Sequence, residues 1–126
     1  MKFPYDRTYS PPAPVIKIRV GVPGGKKISG ELSAFVDTGA DGTIIPVSYL
    51  AEFEIEPDSQ RFLRSQWGDR RAVDAYLIDI LIGSVHLSPI EIVTDELGEE
   101  IIIGRNVLNK LVVTLDGPKR ILEIIE

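Results

Sequence analysis

The residues with most to offer chemically lie in two short runs. The first is "AFVDTGADGTIIP", Ala34 to Pro46. In it the apolar pair Phe35-Val36 delivers Asp37 into Thr38-Gly39-Ala40-Asp41-Gly42, and Thr43-Ile44-Ile45-Pro46 resumes at once. A carboxylate at the end of a buried strand costs several kcal/mol unless it is paired or neutralised. A turn residue at a strand end is the plain explanation, but apolar residues flank Asp37 too closely for it to suffice. The chemistry a carboxyl group can offer from such a place is proton transfer. The second run, "IIIGRN", follows some sixty residues later and sets Arg105 and Asn106 directly after Gly104.

Other chemistries lack the residues to carry them. There is no cysteine, which rules out disulfides, thiolate nucleophiles and cysteine-ligated metal sites. A single histidine, His86, leaves no His-rich metal centre. It stands in the alternating stretch "GSVHLSPI" and reads as a surface strand residue with no partner in view for a charge change. "GVPGGKK", Gly21 to Lys27, misses the phosphate-loop pattern by one residue and has Lys27 where a hydroxyl is needed, so it reads as a hairpin turn. Fourteen basic against nineteen acidic residues give a net charge of −5, with no basic patch, which argues against a nucleic-acid partner.

The elements around these runs follow a consistent pattern. At 126 residues, 44% hydrophobic and 26% charged, the chain has ordinary composition for one domain with a real core. Residues 1–14 hold four of the nine prolines and read as a proline-rich, extended N-terminal arm, with the domain proper at 15–126. "VIKIRVGV" alternates as a half-exposed strand, and "KKISGELSAFV" leads back as a second one after the turn at "PGG". "PVSYLAEFEIEP" has room for a short helix opened by Pro46. "RFLRSQW" and "RRAVDAYLIDILIG" read as two strands around the turn signal Gly68-Asp69. In the longer strand Tyr76, Ile78, Ile80 and Ile82 share one face, and Leu77, Asp79 and Leu81 the other. "VHLSPIEIV", Ile101–Ile103, "VVTL" and "ILEII" add further strands, and residues 105–111 have helical spacing. The sum is an all-β chain with one or two short helices, a pattern that suggests a closed or folded-over barrel.

Taken together, Asp37-Thr38-Gly39-Ala40 behind two apolar residues and the later Ile102-Ile103-Gly104-Arg105-Asn106 opening a short helix resemble the single-domain, retropepsin-like aspartic proteases. The resemblance covers about residues 15–125 and implies a closed β-barrel of the acid-protease type. It also implies a mechanism. Two carboxyl groups about 3 Å apart cannot both ionise, so they share one proton, an effect for which the aspartic-protease dyad is the standing illustration. The ionised member activates water as general base while the protonated one polarises the scissile carbonyl. This chain has one Asp-Thr-Gly; Gly68-Asp69 and Asp116-Gly117 lack the hydroxyl residue and read as turns. The second carboxylate must then be Asp37 of another copy, so the resemblance implies a homodimer with its site on the two-fold axis.

By the same resemblance Asp37, Thr38 and Gly39 form the catalytic loop, with the Thr38 hydroxyl cross-linking two loops and Gly39 admitting substrate closely. Ala40, Asp41, Ile45 and Ile102 would meet substrate, although core packing is the plainer role for the two isoleucines. Arg105 would pair with Asp41 and, with Gly104 and Asn106, tie the loop to the helix. The hairpin "LRSQWGDRRAV" would be the flap, with Trp67 and Gly68 at a tip far poorer in glycine than in retroviral relatives. Gly42 departs from the polar residue common there, and the arm before residue 15 is extra. No metal and no organic cofactor is implied. The partners expected are a second copy and a polypeptide substrate, without nucleic acid or membrane. No stretch has the apolar core of a signal peptide or the length to cross a bilayer, which makes a cytoplasmic address the default expectation. A rival reading keeps the fold and drops the catalysis: a peptide-binding or assembly module whose groove holds an extended segment uncut. The retained Asp37-Thr38-Gly39 counts against it.

Overall fold

Period-2 alternation of apolar side chains builds almost the whole molecule. The computed structural model describes residues 1–64, 67–96 and 98–126. Its strands are β1 (Lys2–Pro4), β2 (Val15–Gly21), β3 (Leu32–Val36), β4 (Thr43–Pro46) and β5 (Ser59–Arg64), then β6 (Arg70–Ile82), β7 (Val85–Asp95), β8 (Ile101–Ile103), β9 (Val112–Asp116) and β10 (Ile121–Ile125). A 3-10 turn, Val47–Leu50, follows Pro46, and helix α1 is confined to Arg105–Leu108. The expected helix to residue 111 therefore closes after one turn, although hydrogen bonds from Lys110 and Leu111 continue its winding.

Six strands close into a barrel, in the order β2-β3-β8-β4-β7-β6 and back from β6 to β2; β5 extends beyond it as the partner of β6. In β2 the alternation is clean, with Ile16, Ile18 and Val20 buried between exposed Lys17 and Arg19. Ile78, Ile80, Ile82, Ile92, Ile101 and Ile103 complete the centre of the barrel. Each such side chain contributes roughly 1.5–3 kcal/mol through its removal from water. β3 and β8 run parallel, Val36 beside Ile103, so both motif strands end at the same rim of the barrel. β4 lies beside β8 there, antiparallel to it, with Ile44 opposite Ile102.

Three expectations are adjusted by the fold. The return strand starts at Leu32 rather than near Lys26. Before it, buried Ser29 accepts the Val20 N–H through its hydroxyl and donates its own N–H to Val20 O at 2.8 Å, next to an isolated bridge between Gly21 and Ile28. His86 is on a strand surface as expected but does have a partner, since its Nε2 lies 3.0 Å from Asp79 Oδ2. Asp79 is itself buried and also accepts a bond from Ser88 Oγ, beside a register shift between Ile78 and Ile80. The arm, finally, is extended but not free. β1 pairs with β10, the terminal ammonium donates to Ile124 O at 2.7 Å, and Ile124 N–H returns a bond to Met1 O at 2.8 Å. Asp6 bridges to Ala13, and Tyr9 packs 5.4 Å from Phe35 and bonds Glu100. The Thr8 hydroxyl and then the Thr8 N–H hold the Asp6 carboxyl below the usual carboxylate range.

Candidate active site

The rim where β3 and β8 end is built from both motifs. Asp37 follows the last residue of β3, and its N–H donates to Ile103 O at 3.0 Å, so the parallel ladder fixes its backbone. One carboxylate oxygen accepts the Gly39 N–H at 2.8 Å, and Ala40 N–H closes the turn onto Asp37 O at 3.2 Å. These contacts aim a half-buried carboxylate out of the rim, among exposed Thr38, Gly39 and Asp41. A single copy thus places one Asp37 carboxylate at this rim.

Arg105 braces that loop from the start of α1. Its Nη1 donates to Thr38 O at 2.9 Å, its Nη2 bonds the Asp41 carboxylate, and its own N–H donates to Ala40 O at 2.9 Å. The rigid fork of a guanidinium suits this two-point hold. Gly104 permits the approach, because a Cβ there would stand 2.0 Å from Gly42 O and 3.0 Å from Ala40 O. The brace has a second layer that sequence reading missed. Buried Thr43 accepts the Gly104 N–H through its hydroxyl at 3.2 Å and donates to Asn106 Oδ1 at 2.8 Å. Asn106 Nδ2 in turn donates to Glu91 O at 2.8 Å, which ties α1 to β7. A threonine just after an Asp-Gly turn gave no sequence signal for this role, since its partners come from elements far along the chain.

Beside the loop opens a cleft of about 580 Å3. Its floor is Gly39 to Ile44 and its opposite wall is Arg61 to Arg64 of β5, with Glu91, Val93 and Asn106 between. Arg61 and Glu91 form a two-point ion pair across it, at 2.8 and 3.2 Å. Ala40 and Asp41 are therefore at the cleft, as expected. Ile45 is not: it is completely buried in the core, and Ile44 takes the cleft side instead. Ile102 is half-buried opposite Ile44 and is not among the lining residues. Trp67, 81% exposed, and Gly68, with φ +89°, stand in the turn between β5 and β6; Ser65 and Gln66 of the same expected flap lie outside the described residues.

A six-stranded barrel that ends two parallel strands in an Asp-Thr-Gly loop and a Gly-Arg-Asn brace defines the retropepsin-like class of aspartic proteases. The chain belongs to that family: the model described as "gag-polyprotein putative aspartyl protease" matches residues 27–110, more than half of its length. Solved structures share the fold at low identity. A retropepsin-like aspartic protease from Rickettsia conorii matches with a TM-score of 0.69 at 12% identity, over 98% of this chain and 88% of that one. The simian foamy virus protease matches with a TM-score of 0.55 at 14% identity, over 76% of this chain and 92% of that one. The EIAV protease in complex with the inhibitor HBY-793 gives 0.53 at 14%, over 78% and 86%. No curated protein matches by sequence.

Proposed function

We propose that this protein is a homodimeric aspartic endopeptidase that hydrolyses peptide bonds with a water activated between the Asp37 carboxylates of two copies. The observation that carries the reading is the exposed, braced Asp37 loop at the barrel rim, which is useful to a hydrolase only when a second such loop faces it. The ionised Asp37 takes a proton from water, whose oxygen attacks the scissile carbonyl. The protonated one donates to the carbonyl oxygen and gives a tetrahedral diol. The carboxyl that took the water proton then gives it to the departing amine nitrogen as the C–N bond breaks. A diol hydroxyl passes its proton to the other carboxylate, which releases a carboxylic acid and an amine and leaves the pair with one proton again. Thr38 links the two loops, Gly39 lets the substrate backbone approach, and Asp41 accepts substrate N–H groups. The substrate lies extended between the loops and the β5–β6 hairpin, with alternate side chains in the cleft. That hairpin acts as the flap, and Trp67 beside Gly68 gives it an aromatic contact.

The test is peptide cleavage by purified protein across pH and protein concentration, with Asp37→Asn beside it. Activity that rises faster than linearly with concentration, follows a bell-shaped pH profile and vanishes in a folded Asp37→Asn variant is the expected result. Cleavage retained by that variant would sink the mechanism, and a folded dimer without cleavage would turn the reading to a peptide-binding module.

A further inference from the structure

We propose that the cleft selects substrates with an aspartate or glutamate side chain, which Arg64 and Arg70 of the β5–β6 hairpin hold between them. This selection rests on the endopeptidase reading above and adds a substrate class to it. The sequence concentrates positive charge at this hairpin. Four of the eight arginines fall within residues 61–71, against one carboxylate, Asp69, so the segment carries +3 in a chain of −5. Two of the four are already paired, Arg61 with Glu91 at 2.8 Å and Arg71 with Asp95 at 3.0 Å. Arg64 and Arg70 are exposed and have no ion pair among the described residues.

These two arginines stand directly opposite each other, the last pair of the ladder before the turn. Like charges so placed destabilise a hairpin, and an anion between them removes that cost. Opposite residues share a face, and on this face Phe62 and Ala72 come next, then Gln60 and Asp74. Along β6 the same alternation runs through Tyr76 to Ile78, which is buried in the barrel, so the pair is on the inward side of the hairpin. Phe62 and Arg64 both line the cleft beside the Asp37 loop. Phe62 also positions the second cation. The Arg70 guanidinium lies 4.6 Å from its ring centre, a contact that orients the charge without neutralising it. The other charges of the cleft answer one another. Asp41 is bonded by Arg105 and Glu91 by Arg61, which leaves Arg64 as the lining charge without a counter-ion among the described residues. A carboxylate can accept from two guanidinium groups at once, one at each oxygen. The Asp37 carboxylates repel an acid next to the scissile bond, so the acidic residue belongs further out along the peptide, under the hairpin.

The test is digestion of a degenerate library of C-terminally amidated peptides by the purified protein, with cut sites read by mass spectrometry. Amidation leaves side chains as the only carboxylates. Aspartate and glutamate should be enriched at a position outside the two residues that flank the cut. A cut sequence remade with glutamate, glutamine or lysine at that position then gives kcat/KM values to compare. Glutamate should exceed glutamine roughly fivefold, the scale of two partly exposed ion pairs. Arg64→Gln and Arg70→Gln should each bring that ratio toward one. The double reversal Arg64→Glu/Arg70→Glu should turn the preference to lysine, a change that loss of structure does not produce. Cleavage without an acidic preference, or with one that survives both neutral variants, would overturn this selection and leave the endopeptidase standing. Should no peptide be cut, the same library is passed over the immobilised protein and the retained peptides are sequenced. Acidic peptides retained by the parent and not by Arg64→Gln support the arginine pair while refuting the endopeptidase. Retention indifferent to charge, or none, overturns both.

Discussion

Gly104 is where the two motifs touch, and its smallness is a requirement of distance, not of backbone angle. Gly104→Ala would force a methyl into Gly42 O, 2.0 Å from the ideal Cβ. We expect a loss of about 3 kcal/mol, near the upper end for overpacking, read as a lower urea midpoint. Thr43→Val keeps the volume but removes the acceptor for Gly104 N–H and the donor to Asn106. Each buried group left unpaired costs about 1–3 kcal/mol, so this variant should unfold earlier and, in the enzyme, lower kcat more than it raises KM. A stability within experimental error of the parent would show that water replaces the hydroxyl. Asp37, Asp41 and Arg105 could be placed from sequence because an aspartate, a glycine and an arginine each carry a distinct chemical mark. Ile44 and Ile45 could not be told apart. Both are apolar, so alternation has no polar partner to fix its phase, and only the pairing of β4 between β8 and β7 decides that Ile45 faces inward.

Strand β6 shows how far periodicity carries and where it stops. Its thirteen residues were readable as one long strand with Ile78, Ile80 and Ile82 inside, and they are. The same alternation assigned Asp79 to the opposite face, and there the exposed residues His86 and Ser88 bond its carboxylate and cover it. The extra residue lies in β7, where Ser88 and Pro89 stand against Asp79 alone, so the spacing within β6 does not announce the cover. Asp79→Ala is therefore expected to lower stability by about 1–3 kcal/mol, as for a buried hydrogen-bonded group, where a solvated strand aspartate would change it by less than about 0.5. Urea unfolding of the two proteins distinguishes these values. β5 offers the opposite case. Phe62 is largely exposed on the cleft wall, with the Arg70 guanidinium 4.6 Å from its ring centre. Phe62→Ala should leave the urea midpoint nearly unchanged, within about 0.5 kcal/mol. Peptide KM should rise several-fold. Equal losses in stability and KM would mean that the ring packs rather than binds.

Across the whole molecule, what sequence conveyed was the inventory of strands and not their partners. β1 meets β10 from the far end of the chain, and the proline-rich run gave no hint of it, since three residues are too few to show a period. That pairing closes the chain on itself, and the association proposed above would join like-charged bodies. Each copy carries −5, so two approaching copies repel one another at long range. Between 0.01 and 0.15 M salt the screening length falls from about 30 to about 8 Å, which removes most of that repulsion. The dimer should accordingly tighten as salt rises, and specific activity at a fixed low protein concentration should rise with it. Sedimentation and initial rates measured together over that range test the argument. A dimer that loosens with salt would place ion pairs at its interface.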